Sequence, residues 1–202
     1  RVTPRTAYLA HAYDGEVHRP IRAGPPVCDA LFCGTGFPAR VAFLERIDWT
    51  GIELRLRGLW RLDDASPLRP HWADELIPNE QLPWAYAGAR ACLNLHRRDR
   101  GWGFNAQQGE VAAHDTESAN PRAYEVAACG AFQLADAGRA EADELFGDTV
   151  PTFRDPGEAG ELLRYWLARP RERAEMAVEA RRRVAPHTYL ARAAALVRYI
   201  AA

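Results

Sequence analysis

The sequence predicts an α/β domain: a doubly wound, mostly parallel sheet with helices on both faces. Three observations carry this expectation. Short apolar runs alternate with amphipathic stretches of helical length along most of the chain. The first run, Val27-Cys28-Asp29-Ala30-Leu31-Phe32-Cys33, is nearly continuous in apolar residues, which marks a strand covered on both faces. It ends in Gly34-Thr35-Gly36, a turn that leads directly into a helical stretch. The chain has 202 residues, 48% of them hydrophobic, enough for one core. Strands joined by right-handed crossovers then place helices on both sheet faces.

The elements follow in order. Residues 1–26 are polar and rich in proline and arginine, and read as an opening segment before a domain over 27–202. After the first strand, residues 37–47 look helical. Ile52-Glu53-Leu54-Arg55-Leu56-Arg57 alternates apolar and charged residues, the pattern of a half-exposed strand. A loop-rich region with Trp60, Pro67, Pro70 and Trp72 precedes Asn79, an expected cap for a helix through Leu82, Tyr86 and Ala89. Ala91-Cys92-Leu93-Asn94-Leu95 is the next expected strand. Residues 97–117 show no periodicity, as in a functional loop or a disordered one. Asn120-Pro121 supplies an N-cap and a first-turn proline for a helix that Gly130 closes. Residues 131–135 and 150–153 are further strands. Helical spacing recurs through Ala159, Leu162, Leu163, Trp166 and Leu167, then over 171–184 and 188–200.

Composition excludes several functions. With 26 basic against 27 acidic residues and a net charge of −1, the chain lacks the charge excess of a general nucleic-acid binder. Its apolar stretches fall short of the roughly 20 residues of a membrane span, and no leader pattern opens it, so the expectation is a cytoplasmic protein. Lysine is absent, so every basic residue is arginine, a bias typical of GC-rich coding. Arg1 opens the chain and the single methionine is Met176, so the expectation is part of a longer protein. Cys28, Cys33, Cys92 and Cys129 lie among apolar residues without metal-site spacing, and read as buried reduced thiols. The scattered histidines likewise predict no metal site.

Ligands of such sheets bind beyond the carboxyl ends of the strands. That rule singles out Gly34-Thr35-Gly36, His96-Arg97 and Asn120-Pro121. Gly34-Thr35-Gly36-Phe37-Pro38-Ala39 fits the dinucleotide fingerprint, whose glycines let the backbone approach a diphosphate at a helix start; a plain tight turn is the alternative. A nicotinamide dinucleotide also needs an acid at the end of the second strand. Arg57 stands there, which suits a 2′-phosphate better than a bare ribose. Arg40 is placed to reach a phosphate bidentately, or to be a solvated arginine. Arg97, Arg98 and Arg100 form a charge run of the solvated kind, and His96 suits a phosphate or sugar oxygen, or a structural role. Glu117 and Glu125 bracket the helix cap, where carboxylates accept hydrogen bonds from sugar hydroxyls.

The stretch Asn120-Pro121-Arg122-Ala123-Tyr124-Glu125-Val126-Ala127-Ala128-Cys129-Gly130-Ala131-Phe132 resembles the signature N-x-R-x-(F/Y)-E-x-x-A-C-G-(A/T)-F of the glycosyltransferase group 1 domain of spore-maturation-type proteins. His11-Ala12-Tyr13-Asp14, His18-Arg19-Pro20, Leu93-Asn94-Leu95-His96-Arg97, His187-Thr188-Tyr189 and Arg192 fall in the family's order. The resemblance implies the Rossmann-like, C-terminal half of a two-domain GT-B enzyme. That half binds a nucleoside-diphosphate sugar, and an N-terminal domain of the same protein carries the acceptor. In related retaining enzymes the second of two glutamates with seven residues between them holds the donor ribose and the first contacts the donor sugar. These map onto Glu125 and Glu117, the latter without the phenylalanine-glycine context that usually follows. Arg40 is the nearest substitute for the family's phosphate-binding arginine and lysine.

The resulting expectation is a glycosyltransferase domain with Glu117 and His96 as catalytic residues. Gly34, Thr35, Gly36, Arg40, Asn120, Arg122 and Glu125 are its nucleotide-sugar contacts. No metal or separate cofactor is needed. The alternatives are an NADP-dependent oxidoreductase domain and a non-catalytic nucleotide-binding module.

Overall fold

A computed structural model describes residues 6–73, 76–97 and 118–201. Five strands form one sheet: β1 (Cys28–Cys33), β2 (Leu54–Arg57), β3 (Ala89–Asn94), β4 (Gln133–Asp136) and β5 (Thr152–Phe153). Their order is β2-β1-β3-β4-β5, and every pairing is parallel. The helices are α1 (Pro38–Leu44), α2 (Leu82–Ala87), α3 (Pro121–Ala128), α4 (Ala140–Phe146), α5 (Pro156–Leu167), α6 (Pro170–Val184) and α7 (Tyr189–Ala201).

Alternation along the strands explains the two layers. Ala30 and Phe32 of β1, with Leu54, Leu56, Leu93 and Leu134, pack with Leu44 of α1 and Ala159 and Leu163 of α5. Leu31, Cys33 and Cys92 face the other way, onto Leu82 and Tyr86 of α2 and Val126 of α3. All four cysteines lie in this second cluster, buried and free. A further cluster joins α3 and α4 to α6 through Tyr124, Phe146, Ala180 and Val184. The doubly wound sheet is therefore as the alternating pattern predicts.

Local signals act as expected around α3. The Asn120 side chain accepts from the Ala123 N–H at 3.0 Å, Pro121 occupies the first turn, and Gly130 follows at φ +70°. Two expectations fail. Asn79 makes no side-chain cap; it opens a 3₁₀ turn, Asn79–Gln81, because Pro83 takes the first turn of α2 and shifts that helix's start to Leu82. That helix also stops at Ala87, and Ala89 already belongs to β3. The short polar α4 has no counterpart in the sequence reading. Its Glu141 accepts from the Ala119 N–H (2.7 Å) and the Tyr124 hydroxyl (3.0 Å), and Phe146 meets the Tyr124 ring edge-on.

The opening segment is tied to the far end of the chain. Tyr13 donates its backbone N–H to the His187 carbonyl (3.2 Å) and accepts from the Tyr189 N–H (2.9 Å). Among the described residues, no helix is long and apolar enough to cross a membrane.

Candidate functional site

The strand order reverses between β1 and β3, since the chain moves outward to β2 and then back across β1 to β3. Loops leaving two such strands part in opposite directions and open a crevice at their carboxyl ends. A cavity of about 250 Å³ lies there, lined by Gly34 and Thr35 after β1, Asn94 and Leu95 at the end of β3, Arg40 of α1, and Asn120, Arg122 and Glu125 at the start of α3. An adjoining cavity of about 290 Å³ shares Gly34, Thr35 and Arg122, and extends towards Arg57, Gly58 and Ile77. Six of the seven expected nucleotide-sugar contacts thus meet in one place.

Gly36 is the exception, and it corrects the reading of the fingerprint. A Cβ at this position would lie 2.2 Å from the Trp60 ring, so the glycine is required by the indole packed against it. Gly36 does not line the cavity. Three of the loop amides are also committed: Gly34 N–H donates to Arg57 O (2.9 Å), Gly36 N–H to Leu59 O (2.8 Å) and Phe37 N–H to Thr35 O (2.9 Å). Gly58, at φ +110°, passes so near that a Cβ there would sit 2.4 Å from the Gly34 carbonyl oxygen. The glycines serve close contact between the loops after β1 and β2. Positive charge at the cavity comes from the Arg40 and Arg122 side chains that line it. Arg40 spans from Thr35 O (3.1 Å) to Leu95 O (2.7 Å), clamping the loops after β1 and β3 together beside the cavity.

Glu125 and Arg122 stand one turn apart on α3 with an N–O distance of 3.2 Å. Arg122 also donates to the Tyr86 hydroxyl, which donates to Glu125 Oε2 at 3.3 Å. The side chains of Arg122 and Glu125 are only 27% and 13% exposed. Burial pulls the Arg122 guanidinium downward, but Tyr86 and Glu125 outweigh it and hold the group above its ordinary value. Burial also holds the Tyr86 phenol well above its usual range, so its proton stays available for the carboxylate. Glu125 Oε1 has no partner among the described residues. The triad fixes one carboxylate oxygen and leaves the other to accept from a ligand hydroxyl.

Residues 40–198 match the sequence profile of the family described as glycosyl transferase-like. The chain belongs to the glycosyl transferase-like family. Comparison with curated proteins found no match. Among solved structures, this glycosyltransferase domain is similar to a sucrose-phosphate synthase from Thermosynechococcus elongatus (TM-score 0.65, 15% identity, 94% of this chain and 50% of that one). It is also similar to the T4 phage β-glucosyltransferase (0.61, 14%, 91% and 55%) and to Anabaena HepE in complex with UDP (0.58, 10%, 94% and 56%). At these identities the likeness is one of fold: the Rossmann-like half of a GT-B glycosyltransferase. The chain spans about half the length of these structures.

Within the glycosyltransferase domain, the two expected catalytic residues fare differently. Glu117 lies outside the described residues, as do Arg98 and Arg100. His96 is not among the residues lining this cavity; it is buried, and both its backbone N–H (2.9 Å) and its Nδ1 (2.5 Å) meet Asp136 Oδ1 at the end of β4. Arg97 stacks its guanidinium on the Phe37 ring at 4.3 Å from the centroid. Residues the sequence reading left out are Tyr86, Asn94 and Asp136. Their position just before, or at the carboxyl end of, an expected strand pointed to them, and Asn94 also lies in the family-like segment Leu93-Asn94-Leu95-His96-Arg97. Among the described residues, no cluster of three His, Cys, Asp or Glu side chains is placed to hold a metal ion.

Proposed function

We propose that this domain is the donor-binding, C-terminal half of a spore-maturation-type GT-B glycosyltransferase, and that it holds a nucleoside-diphosphate sugar at the ends of β1 and β3. The observation that carries the reading is the meeting, at the sheet's switch point, of a half-free carboxylate with the side chains of Arg122 and Arg40. Glu125 accepts from the ribose hydroxyls, and Arg122, Arg40 and Thr35 face the diphosphate. Positioned cations of this kind stabilise charge that develops on the leaving nucleotide. Glu117 is assigned the donor sugar by the family resemblance. Two structural neighbours support the ligand class: the HepE structure contains UDP, and uridine diphosphoglucose is the substrate of the β-glucosyltransferase.

A thermal-shift panel tests this. UDP or GDP raises Tm and NADP does not; stabilisation by NADP alone would overturn the reading in favour of an oxidoreductase. The acceptor is supplied by another domain of the same protein, so residues 1–202 alone bind donor and transfer no sugar. Holding both reactants together contributes about 7 to 11 kcal/mol in well-oriented systems. Mass spectrometry that finds a glycosylated acceptor with this chain alone would refute the division of labour.

A further inference from the structure

We propose that Asn94 is a ligand contact of this site, donating its side-chain amide to an anionic oxygen, and that Asn120 is the positioning residue that turns it to do so. The donor atom, Asn94 Nδ2, is buried without a hydrogen-bond partner among the described residues, in a residue that is 2% exposed and lines the cavity. Its orientation follows from the backbone. The Ala123 N–H, fixed by α3, donates to Asn120 Oδ1 at 3.0 Å, so Asn120 must turn its Nδ2 the other way. That nitrogen donates to Asn94 Oδ1 at 2.8 Å, so Asn94 must present its own Nδ2 away from Asn120. Flipping Asn94 would set two NH₂ groups against each other. Flipping Asn120 would set an NH₂ against a backbone N–H. One helix-capping bond therefore orients both amides.

A buried N–H without an acceptor is costly, and native structures rarely leave one unsatisfied. Here the unsatisfied donor belongs to a residue at the last position of β3, between β1 and β4 and at the point where ligands of such sheets bind. An NH₂ group only donates, and the charged groups lining the cavity with it are the Arg40 and Arg122 guanidiniums and the Glu125 carboxylate, two cations against one anion. The complementary group is an oxygen carrying negative charge and needing several donors, as a phosphoryl oxygen does. The nucleotide-sugar reading identifies that oxygen as part of the diphosphate; the amide site itself follows from the two asparagines.

Calorimetry on this chain with inorganic pyrophosphate, UDP and uridine tests the proposal. Asn94→Ala is expected to weaken pyrophosphate and UDP about tenfold or more and to leave uridine unchanged. Asn120→Asp keeps the cap, because Asp caps as well as Asn. Lacking a donor, it draws the Asn94 NH₂ onto itself and away from the cavity. It therefore weakens pyrophosphate too, and costs less in the Asn94→Ala background than alone. Equal costs in both backgrounds would overturn the positioning role, and unchanged pyrophosphate and UDP affinity in Asn94→Ala would overturn the contact. If Asn94→Ala fails to fold, Asn94→Leu, which keeps the volume and removes the donor without adding charge, puts the same question with the same expected loss. Wild-type binding of pyrophosphate but no nucleotide, lost in the variants, keeps the amide site and removes the nucleotide reading. UDP binding indifferent to Asn94 does the reverse, and wild-type binding of none of the three probes removes both.

Discussion

Replacing Glu125 by glutamine removes one charge while keeping the shape of the side chain. Two consequences follow from its surroundings. The Arg122 guanidinium, 3.2 Å from Oε2, loses its ionic partner but keeps the Tyr86 hydroxyl, and Tyr86 can still donate to the new amide oxygen. The pair is intermediate between an exposed bridge, which contributes little, and a buried one, whose breaking costs several kcal/mol. Unfolding stability should therefore fall by about 1 to 3 kcal/mol, leaving the domain folded. A charged acceptor to a ribose hydroxyl contributes about 1.5 to 3 kcal/mol, so affinity should drop about 10- to 150-fold. Calorimetry with UDP and with uridine reads the second effect, and urea unfolding the first. Equal losses for the two ligands are expected, since both carry the ribose. An unchanged dissociation constant would refute the assignment. A loss confined to UDP would show that Glu125 acts on the diphosphate through Arg122.

Other expectations concern packing and protonation. Gly36→Ala places a methyl against Trp60 and should destabilise by about 1 to 3 kcal/mol; Trp60→Leu should relieve most of this in a double-mutant cycle followed by urea unfolding, and additive costs would contradict the packing argument. Burial pushes the Cys33 thiol up to about 12 and the other three cysteines are buried and raised as well, so iodoacetamide at pH 8 should label none of the four in the native chain and all of them once it is unfolded. Labelling of the native chain would contradict their burial. The pKa of His187 is lowered by desolvation and by Arg192, whose Nη2 lies 2.6 Å from Nδ1. The folded state thus binds this proton less readily than the unfolded chain. Its neutral form supports stability above pH 6.5, and that contribution is lost as pH falls through the lower folded value. His187→Gln should flatten this acid loss in melting curves between pH 7 and pH 5, and an unchanged slope would count against it.

Much of the fold is legible because its signals are local. The cap at Asn120-Pro121, the closing Gly130 and the apolar run of β1 each act through a few neighbouring residues, and each forms where the sequence places it. Asn79 carried the same kind of signal and lost to a stronger one, Pro83, four residues on. The α4 helix was invisible because its support comes from Tyr124 and Ala119, not from its own periodicity.

The site divides along the same line. Strand ends and the Asn120 to Phe132 signature pointed to Gly34, Thr35, Arg40, Arg122 and Glu125, which the reversal of strand order between β1 and β3 gathers around one cavity. Whether a fingerprint glycine faces a ligand or a tryptophan 24 positions further along is set by packing, and at Gly36 it faces the tryptophan. Asn94 and Asn120 are 26 positions apart, and His96 and Asp136 are 40 apart. Their pairing depends on parallel register, which brings the carboxyl ends of β3 and β4 level with the start of α3. Residue type and local order determined which groups this chain has to offer. Only the register of the assembled sheet decided which of them meet, because a hydrogen bond is selected at about 3 Å and sequence separation carries no such length.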